Sequence, residues 1–304
     1  MRIRKKIGYM SRKIIVACGM VLFMFAMSAC AAKPADQIKN VIELNNPMNF
    51  SCMYQDVEHK FNVCLPNNYD SQESHPLILM LHGYANTAEG FSLQTKFENE
   101  ACPKDYVVVY LNSTKDSKGY VGWNSGIDDS DKDDVGFIKA LAAYLQSEYN
   151  CAPKRTFAVG FSNGAFMTQR LAVEADDTFA AVASVAGMMP QKAWDKRKEK
   201  SDIGVLEIYG TKDDVVPMKA NGSDRTALAP AIEDVMEYWA AANSLIVKEE
   251  GTLSKRASYR KWTNEKGTQF VWEIIIEDGR HSWPEEKYCG FSTNQMIIEF
   301  FDRF

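Results

Sequence analysis

A serine, a histidine and an aspartate that could together cleave an acyl bond can be picked out of this sequence by type and spacing. Gly160-Phe161-Ser162-Asn163-Gly164 sets a serine between two glycines. A serine that attacks a carbonyl must stand proud of the backbone. A sharp strand-to-helix turn achieves this, and glycines two residues to either side leave it room. The flanks fit: Thr156-Phe157-Ala158-Val159 is a short β-prone run, and Ala165 to Val173 reads as a helix with Met167, Leu171 and Ala172 on one face. Ser162 is the candidate nucleophile.

A hydroxyl is a weak nucleophile near neutral pH, so it needs a base to take its proton and a carboxylate to hold that base in one tautomer. The chain has four histidines. In serine hydrolases built on this turn the chain order is serine, acid, histidine. His59, His75 and His82 precede Ser162, which leaves His281, on the loop after the expected last strand, Phe270 to Ile276. The acid comes from the loop after Ile208. Gly210-Thr211-Lys212-Asp213 favours Asp213, with Asp214 as the alternative. Two backbone N–H groups must also hold the developing oxyanion. They are expected from Asn163, after the nucleophile, and from Tyr84 in His82-Gly83-Tyr84-Ala85, where His82 shapes the loop.

These residues need a scaffold that brings distant loops to one rim. Leu77 to Leu81, Tyr106 to Leu111, Phe157 to Val159, Ala180 to Val185 and Val205 to Tyr209 are short apolar runs ended by turn residues, as buried parallel strands are. Helical stripes lie between and after them: Val135, Ile138, Leu141, Ala142 and Leu145; Ile232, Val235, Met236 and Trp239; Met296, Ile297, Phe300 and Phe301. The first follows an acidic patch, Asp128 to Asp134, suited to the positive end of a helix dipole. The alternation predicts a doubly wound, mostly parallel sheet with helices on both faces and a ligand crevice at the carboxyl ends of the strands. A hairpin over 50–65, turning near Glu58, would set Cys52 against Cys64.

Residues 1–29 read as a targeting segment: Arg2, Arg4, Lys5, Lys6, Arg12 and Lys13 precede or open an apolar core, Ile14 to Met27. Met27-Ser28-Ala29-Cys30 resembles a bacterial lipoprotein processing box, so Cys30 is the expected lipidation site and membrane anchor, facing periplasm or exterior; without lipidation the chain would be secreted. Residues 30–46 then form a polar tether and 47–304 a single catalytic domain. Without the six cations the formal charge of −5 becomes −11, which disfavours nucleic acid as a partner. Export permits disulfides among Cys52, Cys64, Cys102, Cys151 and Cys289, whose spacing matches no zinc pattern. No metal or cofactor is expected, and the chain is expected to be a monomer.

The motifs together resemble the secreted esterases that include the feruloyl and acetylxylan esterases of carbohydrate esterase family 1 and the poly(3-hydroxybutyrate) depolymerases. Leu81-His82-Gly83 resembles their oxyanion loop, Asp133-Asp134-Val135-Gly136-Phe137 their helix entry, and Gly160 to Gly164 their nucleophile turn. Gly210 to Asp213 with Val215-Val216-Pro217 resembles the acid loop, Trp239 to Asn243 a later helix, and His281-Ser282-Trp283-Pro284 the histidine loop. The resemblance implies an α/β-hydrolase fold and ester hydrolysis. Tyr209, Asp214 and Arg280 depart from the family pattern, so it carries reaction type better than substrate.

Met188 to Asp202, where many hydrolases insert a lid, is short and includes the charged run Lys196 to Lys200, which implies an open cleft. Phe304 follows soon after His281, so the polymer-binding module of depolymerases is not expected after the triad. Esters of plant polysaccharide fragments are thus the leading substrate class and poly(3-hydroxybutyrate) oligomers the alternative. Trp123, Asn124 and Trp283 are the expected substrate contacts. An acyltransferase, a serine peptidase and a non-catalytic surface binding protein are the rival readings.

Overall fold

The computed structural model describes residues 37–115, 118–119, 121–127, 130–219, 230–267 and 270–304. The targeting segment and Cys30 lie outside them. Among the described residues no helix is long and apolar enough to cross a membrane.

Eleven strands form one sheet: β1 (Lys39–Glu43), β2 (Asn49–Tyr54), β3 (Val57–Cys64), β4 (His75–Leu81), β5 (Val107–Leu111), β6 (Cys151–Phe161), β7 (Ala181–Val185), β8 (Gly204–Gly210), β9 (Val247–Ser254), β10 (Ala257–Thr263) and β11 (Phe270–Ile276). Their order is β1-β2-β3-β5-β4-β6-β7-β8-β11-β10-β9. The central β5-β4-β6-β7-β8-β11 block is parallel, and antiparallel strands extend it at both edges.

Burial on both faces explains why the central strands read as unbroken apolar runs. Leu77, Leu79 and Leu81 point to one layer with Val107, Val109 and Leu111. There they meet α3 (Asp134–Glu148), α4 (Asn163–Glu174) and α6 (Ile232–Ala242) through Phe137, Leu141, Phe166, Met167, Val235 and Trp239. Ile78, Met80, Val108 and Tyr110 point to the other layer, where α1 (Ala88–Thr95) and α8 (Thr293–Phe301) contribute Phe91, Ile297, Phe300 and Phe301. Four shorter helical turns complete the set: α2 (Glu98–Ala101), a 3-10 turn at Cys102–Lys104, α5 (Gln191–Trp194) and α7 (Glu286–Cys289).

The edges correct three expectations. Residues 39–43, expected within the tether, form β1 and pair with β2. The β2–β3 hairpin turns at Gln55 and Asp56, which take φ of 47° and 62°, the left-handed pair that matches strand twist. That register sets Cys52 opposite His59, while Cys64 lies opposite Val108, so the two cysteines do not face each other. All five described cysteines are free thiols. Burial pushes those of Cys52, Cys102 and Cys151 up to about 12, which makes them inert. The β9–β10 hairpin, not anticipated from sequence, forms the other edge.

The β7–β8 connection starts beside the nucleophile turn, where Gly187 packs on Ala165, and its charged run lies further off. Lys196 and Lys198 pair with Glu174 and Asp176 at the far end of α4, and Arg197 stacks 4.0 Å from the Trp194 ring. The charged run is thus anchored beside the sheet and does not cover the carboxyl rim.

Candidate active site

Ser162 sits between β6 and α4 with φ 52° and ψ −117°, a conformation costly for any residue with a side chain. Its N–H donates to Val185 O at 3.0 Å, and its carbonyl accepts from Phe166 N at 3.0 Å. The flanking glycines let backbones touch. A Cβ on Gly160 would lie 2.1 Å from Gly164 O, and one on Gly164 would lie 2.0 Å from Leu81 O. Strand, helix and the end of β4 therefore pack so closely that the strained turn has nowhere to relax.

The parallel pair β8 and β11 delivers the other two groups, because Gly210 lies opposite Ile276 and the loops leave the rim side by side. Gly210 and Gly279 permit their contact, since a Cβ on Gly210 would fall 2.2 Å from Gly279 O. His281 Nε2 lies 2.9 Å from Ser162 Oγ, and His281 Nδ1 lies 2.8 Å from Asp213 Oδ2. Asp213 is buried, and its Oδ1 accepts from Val215 N at 2.9 Å and Val216 N at 2.7 Å. Asp214 is exposed. A neutral imidazole that donates to a carboxylate through Nδ1 has Nε2 left to accept the serine proton. This is the arrangement that activates a hydroxyl for attack on a carbonyl.

The loop after β4 borders Ser162: a Cβ on Gly83 would come within 3.4 Å of Ser162 Cβ. Tyr84, half exposed, lies over Gly122. Asn163 opens α4, where backbone N–H groups have no carbonyl one turn back. Its side chain clamps the neighbouring loop, accepting from Trp123 N at 2.6 Å and donating to Trp123 O and to Ser125 Oγ. The amides of Tyr84 and Asn163 thus belong to the two segments that flank the hydroxyl.

His82 is fully buried beneath this loop. Its Nδ1 donates to Gly83 O at 2.7 Å and its Nε2 accepts from Ser113 N at 3.2 Å, which only the neutral ring can do. Burial holds its pKa down to about 4 against the pull of the Gly83 carbonyl, and burial with the nearby Lys132 does the same for His59. In the unfolded chain both bind a proton near 6.5. The unfolded state therefore binds more protons between about 6.5 and 4, and stability falls as pH drops through that window, by on the order of 3 kcal/mol per ring if the window is fully crossed. Urea midpoints measured from pH 7 to pH 4 are expected to fall, and to fall less steeply in His59→Phe; parallel curves would remove His59 from the account.

The expected substrate contacts are corrected. Trp123 is 4% exposed, donates from Nε1 to His82 O at 2.9 Å and packs on the His82 ring, so it offers no face to a ligand. Asn124 Nδ2 donates to Ser130 O and Lys132 O, and its N–H donates to the buried carboxylate of Asp134; it ties its loop to the start of α3. Trp283 is buried between Phe91 and Phe161 and donates to Asn294 Oδ1. Only an edge of it reaches a cleft of about 270 Å³ that also takes in Ala186, Arg280, Ser282 and Tyr288. That cleft adjoins His281 on both sides in sequence.

A buried polar network beneath the turn was not anticipated. Glu207, mid-β8, accepts from Gln169 Nε2 of α4 at 2.9 Å, and Gln169 Oε1 accepts from Trp239 Nε1 of α6 at 3.0 Å. Burial raises the Glu207 pKa well above the usual carboxylate range, with Glu273 adding to it. The only sequence signal was a glutamate inside an apolar run. Among the described residues no three His, Cys, Asp or Glu side chains converge as a metal site requires.

A central parallel sheet with helices on both faces, carrying a serine on a strained strand-to-helix turn, defines an α/β-hydrolase. Residues 54–230 match the esterase family described as "Putative esterase"; the chain belongs to that family. It is 33% identical over 164 residues to "Putative esterase NocK" of Nocardia uniformis subsp. tsuyamanensis, covering 52% of this chain and 44% of that protein. It is 26% identical over 159 residues to "Feruloyl esterase B" of Piromyces equi, covering 52% and 30%. The matches span less than half the length of these curated relatives. The solved structure of an acetyl xylan esterase from Aspergillus awamori superposes with a TM-score of 0.60 at 13% identity, over 81% of this chain and 94% of that one, a likeness of fold.

Proposed function

We propose that this chain is an exported serine carboxylic-ester hydrolase working through an acyl-enzyme, with feruloyl or acetyl esters of plant polysaccharide fragments as substrates. The observation that carries the reading is the hydrogen-bonded line from Ser162 Oγ through His281 to the buried Asp213. His281 takes the Ser162 proton as Oγ attacks the ester carbonyl, and the amides of Asn163 and Tyr84 hold the oxyanion. The protonated His281 then returns its proton to the leaving alcohol. Water, deprotonated by the same ring, releases the acid and frees Ser162.

The substrate class draws support from the family, from a relative bearing a feruloyl esterase name, and from a charged run, Lys196 to Lys198, that is anchored at the far end of α4. Export rests on residues 1–30, with Cys30 as the lipid anchor. The test is hydrolysis of p-nitrophenyl acetate, methyl ferulate, acetylated xylo-oligosaccharides and 3-hydroxybutyrate oligomers by residues 31–304. Preference for the ferulate or the acetylated sugar is expected. Preference for the hydroxybutyrate oligomers would move the substrate to that polyester, amide cleavage would indicate a peptidase, and acyl transfer to added methanol in preference to water would indicate a transferase.

A further inference from the structure

Glu207 lies mid-β8, 1% exposed, on the face that Val205 and Tyr209 turn toward α4 and α6. Trp239 Nε1 can only donate, so the Gln169 amide turns its oxygen to that ring and its Nε2 to Glu207 Oε2 at 2.9 Å. The Ser184 hydroxyl, opposite on β7, and the Gly187 N–H lie close to the same carboxyl, yet among the described residues Oε1 has no hydrogen-bond partner. All of these neighbours are uncharged. The charged groups stand on the other side. Glu273, opposite on β11, accepts from Tyr209 Oη at 2.7 Å and from Arg260 Nη2 of β10 at 2.8 Å. Arg260 also reaches Glu233 of α6, so its charge is already shared by two carboxylates. An ionised Glu207 would be sealed from water beside a second carboxylate, with one oxygen bare and no cation of its own, which is costly. A neutral acid with its proton on Oε1 avoids that cost.

The segments that Glu207 touches are the ones that meet at Ser162. Gln169 stands about two turns along α4 from the nucleophile. Ser184 and Gly187 bracket Val185, whose carbonyl accepts the Ser162 N–H at 3.0 Å, and Ala186, whose N–H donates to Ile208 O at 2.8 Å. Ala186 takes φ 51° and lines the cleft beside the His281 loop. Gly187 packs so tightly on α4 that a Cβ there would lie 2.3 Å from Ala165 Cβ. A change at the Glu207 carboxyl therefore reaches Ser162 by two routes: through the helix that follows it and through the carbonyl that holds its N–H.

We infer that Glu207 is a positioning residue for Ser162, which as a neutral acid joins β8 to α4 and to the turn leaving β7, and which loosens that junction when it loses its proton. The inference rests on the serine-esterase reading above. Its test compares the parent chain with Glu207→Gln, which keeps the shape and neutrality of the acid, and with Glu207→Ala, which keeps neither. For p-nitrophenyl acetate, Glu207→Ala is expected to lower kcat by about tenfold to a hundredfold with KM little changed, the scale of loss that a misplaced reacting group carries. Glu207→Gln is expected to restore kcat at pH 7 to within about twofold of the parent. Burial, with Glu273 adding to it, holds the Glu207 proton well above the ordinary carboxylate range. Above that ordinary range the native state therefore binds more protons than the unfolded chain, and this contribution to stability falls as pH rises. The urea midpoint of the parent is accordingly expected to decline relative to that of Glu207→Gln from pH 5 to pH 9, and the alkaline limb of kcat is expected to move to higher pH in Glu207→Gln. A Glu207→Gln chain that fails to fold, or that turns over no better than Glu207→Ala, would show that the charged form is the native one and overturn the inference. Parallel midpoints and parallel kcat profiles in an active parent and Glu207→Gln would overturn it too and leave the esterase standing. A folded parent that cleaves no ester would remove the esterase reading and the positioning role with it, while the midpoints would still report whether Glu207 is neutral.

Discussion

Ser162→Ala is expected to lower kcat/KM for p-nitrophenyl acetate by roughly 10⁴–10⁶-fold while the fold persists, because the nucleophile of an acyl-enzyme route has no substitute. Alanine meets the same positive φ that serine does, so it adds no backbone strain at this turn. The hydrogen bond it deletes is to a ring that retains some solvent access. An unchanged melting temperature with lost turnover is therefore the predicted pair of results. Activity within about tenfold of the parent would mean that water is delivered directly to the substrate and that the serine is incidental.

Asp213→Asn carries the second large effect, roughly 10⁴-fold in kcat at neutral pH, and its reason lies in hydrogen-bond direction. Asp213 Oδ1 accepts two backbone N–H bonds, from Val215 and Val216. An amide at this position would turn its oxygen to those donors and its NH2 to His281. The ring would then accept at Nδ1 and carry its proton on Nε2, facing Ser162 with a donor where a base is needed. Ester turnover measured across pH is expected to fall at neutral pH with KM little changed. Asp214→Asn, at an exposed position, is expected to leave turnover close to the parent. Equal losses in the two variants would contradict the assignment of the acid.

What the sequence made legible was whatever is enforced locally. Leu77 to Leu81 could be placed because both faces of β4 are buried and no polar residue interrupts the run. The nucleophile turn could be placed because Gly160 and Gly164 stand where backbones touch. His281 followed from chain order alone. The misreadings came from contacts set across the sheet. Trp123 on a polar loop reads as a ligand platform, yet its burial is decided by His82 and Asn163, far away in the chain. The hairpin turn at Gln55 and Asp56 carries no glycine or asparagine to mark it, so its register slipped in the reading and with it the pairing of Cys52. Strands β1 and β9 are polar edge strands, in which Lys248, Glu249 and Glu250 face solvent. Charge of this kind protects an edge from pairing further and also hides it from a search for apolar runs. The network of Glu207, Gln169 and Trp239 was invisible because each partner lies on a different element.

The central claim is that Ser162 is an activated hydroxyl, and a fluorophosphonate probe tests it without any assumption about substrate. Labelled protein digested and mapped by mass spectrometry is predicted to carry the adduct on the peptide containing Ser162, with labelling slowed in Asp213→Asn and absent in Ser162→Ala. No adduct on the folded parent, or an adduct on another residue that survives Ser162→Ala, would contradict it.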